Sequence, residues 1–449
     1  MIVNLQCTFA MKNIVFILCL VIYGCLFTSE SNAQINPPLS KNYAFNALNK
    51  AQRSGLSSAL QAQKIVASDQ VDKDGFGSAV SLDGDRALVG ARNNEAAYIF
   101  KLVNNQWQQI AILQSSNPNE ESFGYSVSLS GDRALVGAVG DDVNGPVSGS
   151  VYVFESVDVN GQEFWVQTDK ITDSSGQVGD YFGWSVSLYQ DTALIGAPYA
   201  DGMVGGDGAG AAFVYEFNGN DWQYSERLYG LNSDGGDLFG HTVSLFQDYA
   251  VVGAPNHDNI AININDGAAF IFKAQGTSWL LTHEIAASDA TDGQNFGESV
   301  SMGSDRVLIG AGGDQDSQGA AYVFDKADVN GQTHWIQTNK ITASDGQASD
   351  NFGIAVKLDG QRALIGATGA DASGTNSGTA YVYQYTDNTW QAQHRLSHPD
   401  IENLDRFGLS VDLSGNHLIV GTENTNPNIQ KPDAAYIYNL DVIFKNGFE

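Results

Sequence analysis

The sequence has almost no cysteine. Its three cysteines, Cys7, Cys19 and Cys25, all lie in the first 25 residues of a 449-residue chain. The rest of the chain can form no disulfide of its own, so its stability must come from packing. A chain of this length is too long for one ordinary core and suits one large repeat array.

Basic residues are also scarce. The chain has 22 lysines and arginines against 51 aspartates and glutamates, which gives a formal net charge of −29. Such a charge argues against nucleic acid and anionic membrane surfaces as partners. Aromatic residues nevertheless make up 10% of the sequence, so the chain is not a disordered acidic tail. These values fit a soluble protein, or one that meets cations.

Recognisable catalytic motifs are absent from the sequence. It contains no G-x-S-x-G elbow, no H-E-x-x-H motif and, beyond Cys25, no cysteine nucleophile. Its seven histidines occupy different positions in the repeats, and a lone pair of them is weak evidence for a metal. Paired carboxylates are so numerous that spacing alone selects none of them as acid and base. The sequence therefore predicts no catalytic residue and no required cofactor.

One apolar run lies near the N-terminus. It extends from Ile14 to Phe27 and is followed by TSESNA, with Ser31 and Ala33 at positions −3 and −1 of a cleavage site. This pattern predicts a secretory signal peptide over residues 1–33, because the run is too short to span a membrane comfortably. We therefore expect a secreted, periplasmic or cell-surface protein with no membrane insertion after the signal is removed.

Three short segments outside the repeats have their own interpretations. The sequence IYGC, ending at Cys25, resembles a bacterial lipoprotein signal, but Tyr23 fits that pattern poorly, and cleavage after Ala33 is preferred. Residues 34–58 are interpreted as a leader. Residues 441–449 form a C-terminal tail that ends in FKNGFE, which resembles a short ending of some exported bacterial proteins.

One phrase of about twenty residues recurs seven times in the chain. Each copy begins with a Phe-Gly pair, 47 to 59 residues after the previous one, at Phe76, Phe123, Phe182, Phe239, Phe296, Phe352 and Phe407. Thirteen residues after each glycine of the pair comes another glycine, from Gly90 to Gly421, followed by alanine in six copies and by Thr422 in the last. This fixed spacing indicates a repeat array.

Each unit of the array predicts four strands. Apolar residues two places apart follow Phe-Gly, as in Val300 and Met302, and indicate the first strand. A tight turn leads to an apolar run such as ALIGA, typical of a strand covered on both faces. A variable Gly/Asp loop precedes the third strand, for example GAAFIF from Gly267. The glycines would let neighbouring sheets approach, and each phenylalanine would be a wedge between them.

The fourth strand carries a tryptophan with an apolar residue six places on, as in Trp335 and Ile341. Because six is even, we expect both side chains on one face, and we expect all six tryptophans to be largely buried. The seventh unit ends at Leu440 without such a strand, whereas Ile65 lies in a matching segment before the first Phe-Gly pair. An N-terminal strand is therefore expected to complete the last unit and close the array into a ring.

The recurring Phe-Gly and Gly-Ala-(Pro) pattern resembles the FG-GAP repeat family, best known from the seven-bladed heads of integrin alpha subunits and common in exported bacterial proteins. The resemblance covers about residues 59–440, and GAP itself occurs at Gly196–Pro198 and Gly253–Pro255. It implies an all-β fold, a seven-bladed β-propeller of four-stranded blades. It implies less about function, since propellers host many activities.

The hairpins between the first and second strands depart from the integrin pattern. Integrin repeats often hold calcium there in a D-x-D-x-D-G cage. Here the seven hairpins read LDGDRA, LSGDRA, LYQDTA, LFQDYA, MGSDRV, LDGQRA and LSGNHL, and none offers five oxygen ligands, so we predict no tight site in them. Weak calcium binding is predicted instead in the loops between the second and third strands, around Asp141, Asp142, Asp201, Asp207, Asp314 and Asp316.

Acidic residues recur at two positions of the repeat. One set lies two residues before Phe-Gly, as in Asp74 and Asp237, and the other lies five residues after the Gly-Ala glycine, as in Asp142 and Asp371. In a four-stranded blade both positions lie at one end, so both sets would rim one face. A cation-binding or ligand-binding face is one interpretation. The favoured interpretation is that the aspartates bond nearby backbone N–H groups at turns.

The leading functional hypothesis is an exported, non-catalytic binding or adhesion protein, a monomer that recognises a protein or glycan ligand at or outside the cell surface. The alternatives are a polysaccharide-acting enzyme, a lyase or hydrolase with its site on the acid-rich face or in the axial channel, and a structural component of the envelope. Trp184, directly after a Phe-Gly pair, could stack on a sugar, although packing is the favoured role. An exposed aromatic patch on a loop face would favour binding, whereas a channel-directed cluster of His, Tyr and Arg would favour the enzyme.

Overall fold

The computed structural model describes residues 62–117, 122–201, 208–259 and 264–441. These residues form seven four-stranded antiparallel sheets, the blades of a β-propeller, as the repeat predicts. The first strand of each blade is the innermost, because the first strands of neighbouring blades contact each other around the ring. The predicted signal peptide, the leader and the tail beyond Asp441 lie outside the described residues. Within the described ranges, no helix is long and apolar enough to cross a membrane.

In blades 1 to 6 the strands follow chain order from the inside outward. In blades 1 to 3 they span Phe76–Asp83, Arg86–Ala91, Ala96–Val103 and Gln106–Leu113; Phe123–Ser130, Arg133–Ala138, Ser150–Val159 and Gln162–Ile171; and Ser185–Tyr189, Thr192–Ala197, Ala211–Phe217 and Trp222–Leu228. In blades 4 to 6 they span Thr242–Phe246, Tyr249–Ala254, Ala268–Gln275 and Ser278–Ile285; Ser299–Met302, Arg306–Ala311, Ala320–Val329 and Gln332–Ile341; and Phe352–Asp359, Arg362–Ala367, Thr379–Thr386 and Thr389–Leu396.

Blade 7 and two loops complete the described secondary structure. Blade 7 contains Val411–Ser414, His417–Gly421, Ala435–Asn439 and, as its outer strand, Gln63–Ile65. The loop between the second and third strands of blade 4 holds a two-stranded ribbon, Asp258–Asn259 with Ile264–Asn265, and the same loop of blade 5 holds a helical turn, Asp314–Ser317.

Each hydrophobic core lies between two neighbouring blades, and we name each of these seven interfaces a seam. The phenylalanine of every Phe-Gly pair is buried in a seam. Phe182, for example, lies in a core with Val151 of blade 2 and Phe213 of blade 3, and its ring centre is 5.2 Å from that of Phe213. The predicted wedge role of these phenylalanines is confirmed in all seven cores. Because each core is shared, no blade buries its apolar faces alone.

The recurring glycines lie where neighbouring blades touch through their backbones. A Cβ atom added at Gly310 would lie 1.9 Å from the carbonyl oxygen of Gly353 in the next blade. One added at Gly149 would lie 2.1 Å from the Phe182 oxygen, and the φ of Gly149 is also positive, at 84°. Neither site has room for a side chain, so the predicted reason for the repeat glycines is confirmed.

The fourth strand contains a β-bulge that the sequence pattern does not predict. In blades 1 to 6 the register between the third and fourth strands shifts by one residue, as between Val214 and Tyr215, opposite which Ser225 is left unpaired. A bulge adds a residue and reverses the alternation of faces. Trp222 therefore packs in the seam with blade 2, whereas Leu228 packs in the seam with blade 4. The expectation that these two side chains share a face is wrong.

The fourth-strand tryptophans differ in burial. Trp107, Trp222, Trp279 and Trp335 are buried, with exposed fractions of 6–7%. Trp165 and Trp390 are half-buried at the margins of their cores, and the Trp165 indole N–H donates to the Glu163 carboxylate at 3.0 Å. The prediction of largely buried tryptophans is confirmed in blades 1, 3, 4 and 5, whereas the tryptophans of blades 2 and 6 are only half-buried.

Blade 7 packs against blade 1 and so completes the ring. Phe76 of blade 1 shares a core with Ile419 and Ile437 of blade 7. The Ser410 hydroxyl of blade 7 donates to the Gly77 carbonyl oxygen at 2.7 Å. The same bond joins blade 2 to blade 3, blade 3 to blade 4, blade 4 to blade 5 and blade 5 to blade 6. The seam between blades 7 and 1 is therefore built like the others.

The outer strand of blade 7 comes from the N-terminal side of the propeller. Gln63–Ile65 pairs antiparallel with Ala435–Asn439, with Ile65 opposite Ala435. The Gln63 amide both donates to and accepts from the backbone of Trp107 in blade 1, at 2.7 Å in each direction. The short strand thus contacts both blades of this seam. That the ring depends on it stays a prediction.

The loops that enter the first strand lie at the same end of each blade as the loops between the second and third strands. In several blades a backbone N–H of the second loop donates to a carbonyl of the first, as from Asn256 to Asp237 and from Gly369 to Asp350. The two recurring sets of acidic residues therefore rim one side of the propeller, which we name the loop face.

Candidate functional site

The residue directly after each Phe-Gly pair lies at the inner edge of its blade on the loop face. The residues at this position are Ser78, Tyr125, Trp184, His241, Glu298, Ile354 and Leu409. The repeat fixes their place, whereas their chemistry differs from blade to blade. In blades 2 to 4 they form a contiguous arc, because the ring centres of Tyr125 and Trp184 lie 4.8 Å apart and those of Trp184 and His241 lie 5.8 Å apart.

Two loop tyrosines of blade 3 extend this arc into an aromatic cluster, which consists of Tyr125, Tyr181, Trp184 and Tyr199. Tyr181 immediately precedes a Phe-Gly pair, and Tyr199 follows the second strand. The Trp184 ring centre lies 6.0 Å from that of Tyr181 and 5.8 Å from that of Tyr199. Tyr199 is 41% exposed, and the other three residues are half-buried. The cluster therefore offers solvent both apolar ring surface and phenolic hydroxyls.

An ion pair flanks the aromatic cluster on the side of blade 1. The Arg92 guanidinium lies 5.4 Å from the Tyr125 ring centre and pairs with Glu423 of blade 7 at 2.6 Å. Burial raises the pKa of Tyr125 to about 12, so its hydroxyl remains protonated and able to donate a hydrogen bond. The guanidinium is held in place by the carboxylate and by the electrostatic attraction of the aromatic face.

His241 and Glu298 continue the arc into blades 4 and 5. Burial lowers the pKa of His241, so this imidazole is neutral near pH 7. Burial raises the pKa of Glu298 to about 7, although its Oε2 atom accepts a hydrogen bond from the Gly312 N–H at 3.3 Å. Near pH 7 the Glu298 carboxyl is therefore divided between its protonated and ionised forms. Such a group can donate as well as accept a proton.

The acidic residues that precede Phe-Gly bond the backbone of their own loops. In four blades the carboxylate accepts the N–H of the residue three places earlier, at 2.7–2.9 Å; these residues are Asp180, Asp237, Asp350 and Asp405. In the second set, Asp142 and Asp371 each accept the N–H of the residue five places later, at 2.8 Å. These contacts support the interpretation of the acidic rim as turn chemistry.

In two of the loops in which calcium binding was predicted, a lysine from the outer strand pairs with a loop aspartate. In blade 2, the Lys170 ammonium lies 2.6 Å from the buried Asp141 carboxylate. In blade 5, the Lys340 ammonium lies 2.8 Å from the buried Asp314 carboxylate. Both lysines lie on the outer strand, directly before the apolar residue of that strand. A calcium ion would have to compete with these ammonium groups for the same oxygen atoms.

Blade 4 has the same pair with the charges exchanged. His257 takes the place of the aspartate and Glu284 that of the lysine, and His257 Nε2 lies 3.6 Å from Glu284 Oε1. His257 Nδ1 also bonds Asp237 at 2.8 Å. Burial lowers the pKa of His257, but the two carboxylates outweigh burial and raise it to about 9, so His257 is charged near pH 7. The exchange indicates that this place serves to join the loop between the second and third strands to the outer strand through opposite charges.

The six predicted calcium ligands lie in three different blades. Asp142 is used by a turn, Asp201 accepts a bond from the Gln177 amide at 2.9 Å, and Asp316 is exposed in the helical turn. Asp207 lies outside the described residues. In the described part of the chain, no group of three or more His, Cys, Asp or Glu side chains is arranged to hold a metal ion. These loops do not fit a tight site, and weak calcium binding stays a prediction.

We expect chelator-treated protein to bind calcium with a dissociation constant of about 10⁻⁴–10⁻³ M, as loosely built extracellular sites do. Such binding would still raise the melting temperature by mass action where calcium is abundant. Isothermal titration should show weaker binding for Asp201→Asn combined with Asp207→Asn. Submicromolar binding that survives this double change would refute the loop assignment. Its loss on Asp83→Asn with Asp85→Asn would place the ion in the hairpins.

The chain has a clear relationship to one protein family. A family model described as FG-GAP repeat matches it seven times, at residues 60–100, 107–154, 165–215, 222–272, 279–324, 335–383 and 390–438. From the second match on, each match begins in the outer strand of one blade and ends in the third strand of the next, so it spans the boundary between two blades. No curated protein matches the chain. With seven copies that cover most of its length, the chain belongs to the FG-GAP repeat family.

Proposed function

We propose that this protein is an exported, non-catalytic binding protein whose ligand, a protein or a glycan, docks on the loop face over the aromatic cluster. The partly exposed cluster of Tyr125, Tyr181, Trp184 and Tyr199 is the observation that carries the proposal. Tyrosine and tryptophan provide large contact areas with few rotatable bonds and are enriched at the centres of binding interfaces. The FG-GAP propeller fold fits a binding or adhesion role.

The arrangement of the cluster also suits recognition without catalysis. Its rings hold one another at fixed angles through edge contacts, as between Trp184 and Tyr199 at 75°. A ligand would therefore meet a surface that needs little reordering, which raises affinity by lowering the entropy lost on binding. The hydroxyls and the nearby Arg92 guanidinium would provide directional bonds for the polar groups of a sugar or a peptide.

The test is a screen of glycans and extracellular proteins with the purified chain from residue 34, followed by titration of the best ligand. Trp184→Ala combined with Tyr199→Ala should weaken binding at least tenfold, because it removes both the central ring and the most exposed ring of the cluster. Tyr224→Ala is the matched control, since Tyr224 is 57% exposed on the outer strand of blade 3. Equal affinity of the double variant and the control would contradict the proposal.

A polysaccharide-acting enzyme remains the second candidate, and Glu298 favours it. Its raised pKa, to about 7, is that of a general acid, and it follows His241 in the same arc. The same screen separates the two functions if reducing ends are measured in the solution over each glycan. If the parent chain released reducing ends and the Glu298→Gln variant did not, the protein would be a hydrolase or a lyase, and the binding proposal would be wrong.

A further inference from the structure

A groove between blades 4 and 5 is lined only by neutral and basic groups. It has a volume of about 560 Å³ and lies at the end of the blades opposite the loop face. Its lining includes Tyr249, Lys273, His283 and His334, together with glutamine and threonine side chains. None of the described residues that line it carries a carboxylate. In a chain with 51 acidic residues, this composition is unusual.

Tyr249 provides an unused hydrogen-bond donor at this groove. The residue is 4% exposed and packs edge-on against Trp335, with ring centres 5.6 Å apart. Its hydroxyl is buried and has no hydrogen-bond partner among the described residues. A buried polar group without a partner costs free energy, so a ligand that supplies an acceptor there would gain stability.

Two ammonium groups surround the same tyrosine. The Lys273 Nζ atom lies 5.3 Å, and the Lys326 Nζ atom 4.5 Å, from the Tyr249 ring centre. Lys273 also approaches Asp248, but at 3.8 Å, and both of those side chains are at least one-third exposed. That contact is too long for a hydrogen bond and is screened by solvent, so the ammonium keeps its donors.

The two histidines lie on the outer strands of the two blades and face each other across the groove. Their ring centres are 5.8 Å apart. Burial, with a smaller contribution from the neighbouring imidazole of His334, lowers the pKa of His283. A negative group in the groove would oppose this effect and favour protonation of His283. Lys273 and Tyr249 line the same groove, Lys326 lies beside Tyr249, and Asp248 lies beside Lys273.

We propose that this groove binds an oxyanion, the carboxylate or sulfate group of a small and otherwise neutral molecule such as an acidic sugar. Lysine and imidazole donors line it beside the Tyr249 ring, and charge-assisted hydrogen bonds are the strong ones. The net charge of −29 limits how many negative charges the ligand can carry, because the rest of the surface would repel a polyanion. The repulsion on a single anionic group is screened beyond about 8 Å at physiological salt. The site is separate from the aromatic cluster and does not depend on the function proposed for it.

The histidine ring protons in the NMR spectrum provide the test. With only seven histidines in the chain, the His283 and His334 signals can be assigned by comparison with His283→Gln and His334→Gln. We expect sodium sulfate and glucuronate, added at constant ionic strength, to shift these two signals saturably. Glucose, which lacks the anionic group, should shift neither. Saturation by sulfate alone would assign the site to a free inorganic anion, and saturation by both probes to a group carried on a sugar.

Binding should strengthen as the pH falls from 8 to 5.5, since protonated His283 attracts the anion and the anion raises the pKa of His283 in return. Lys273→Gln combined with Lys326→Gln should weaken binding at least tenfold at either pH. Lys73→Gln, which removes one positive charge from the loop that enters blade 1, should leave binding unchanged. Equal shifts with sodium chloride, or equal affinities of the groove variant and the Lys73 control, would overturn the proposal.

Discussion

Trp335→Ala is expected to lower the free energy of unfolding by about 3–5 kcal/mol, the usual range for removal of a buried large aromatic side chain. Trp335 is 6% exposed and lies in the seam between blades 4 and 5, among Phe296, Tyr322 and other buried residues. Its truncation would remove the edge contact with Tyr249 and leave a cavity that two blades border. Urea denaturation followed by circular dichroism at 25 °C measures this loss.

Trp390→Ala is the matched control for this measurement. Trp390 holds the same place in blade 6 but is half-buried at the margin of its core, so its truncation should cost clearly less. A loss below about 1 kcal/mol for Trp335→Ala would be that of a surface residue and would show that Trp335 is not a core residue.

Deletion of residues 34–68 is expected to destabilise the propeller by at least about 3 kcal/mol and to cause association of the chain. The deletion removes the outer strand of blade 7, including Ile65, which is 3% exposed in the seam between blades 7 and 1. It also removes the two bonds between Gln63 and the backbone of Trp107. Blade 7 would then present the free edge of Ala435–Asn439, and free edges pair with other chains.

Deletion of residues 34–61 alone tests whether the loss of stability and the association are caused by removal of the strand Gln63–Ile65. This shorter deletion ends before Gln63–Ile65 and should leave the melting temperature and the oligomeric state unchanged. Both variants can be compared by thermal melting and size-exclusion chromatography. A monomeric protein with the parent's melting temperature after the longer deletion would show that the ring does not depend on this strand.

The repeat spacing was sufficient to predict the blades because it reflects backbone contacts. Gly310 and its equivalents lie where a carbonyl of the next blade leaves no space, so the pattern recurs in every copy. The bulge near Ser225 could not be predicted in the same way. It requires no glycine and no particular side chain, and only the pairing of two strands reveals it. The faces of Trp222 and Leu228 were therefore assigned incorrectly.

The functional surfaces were harder to predict because each combines residues from several units of the repeat. Trp184 was identified by its place after Phe-Gly, but its contacts with Tyr125 of blade 2 and His241 of blade 4 follow from the ring geometry. His283 and His334 lie at different positions of their repeats and meet only because neighbouring outer strands lie side by side. Residue spacing within one unit contains no signal for such contacts.

The shared seams also determine when the fold can be completed. The hydroxyl-to-carbonyl bond joins residues 57 positions apart between blades 2 and 3, but 333 positions apart between blades 7 and 1. The extra loop length costs only about 1.5 kcal/mol in chain entropy. The larger consequence is kinetic, since successive seams can form as soon as two neighbouring units are available, whereas the last requires both ends of the propeller. Until then Phe76 has no partner from blade 7, so a chain at that stage would expose an unpaired seam to other copies.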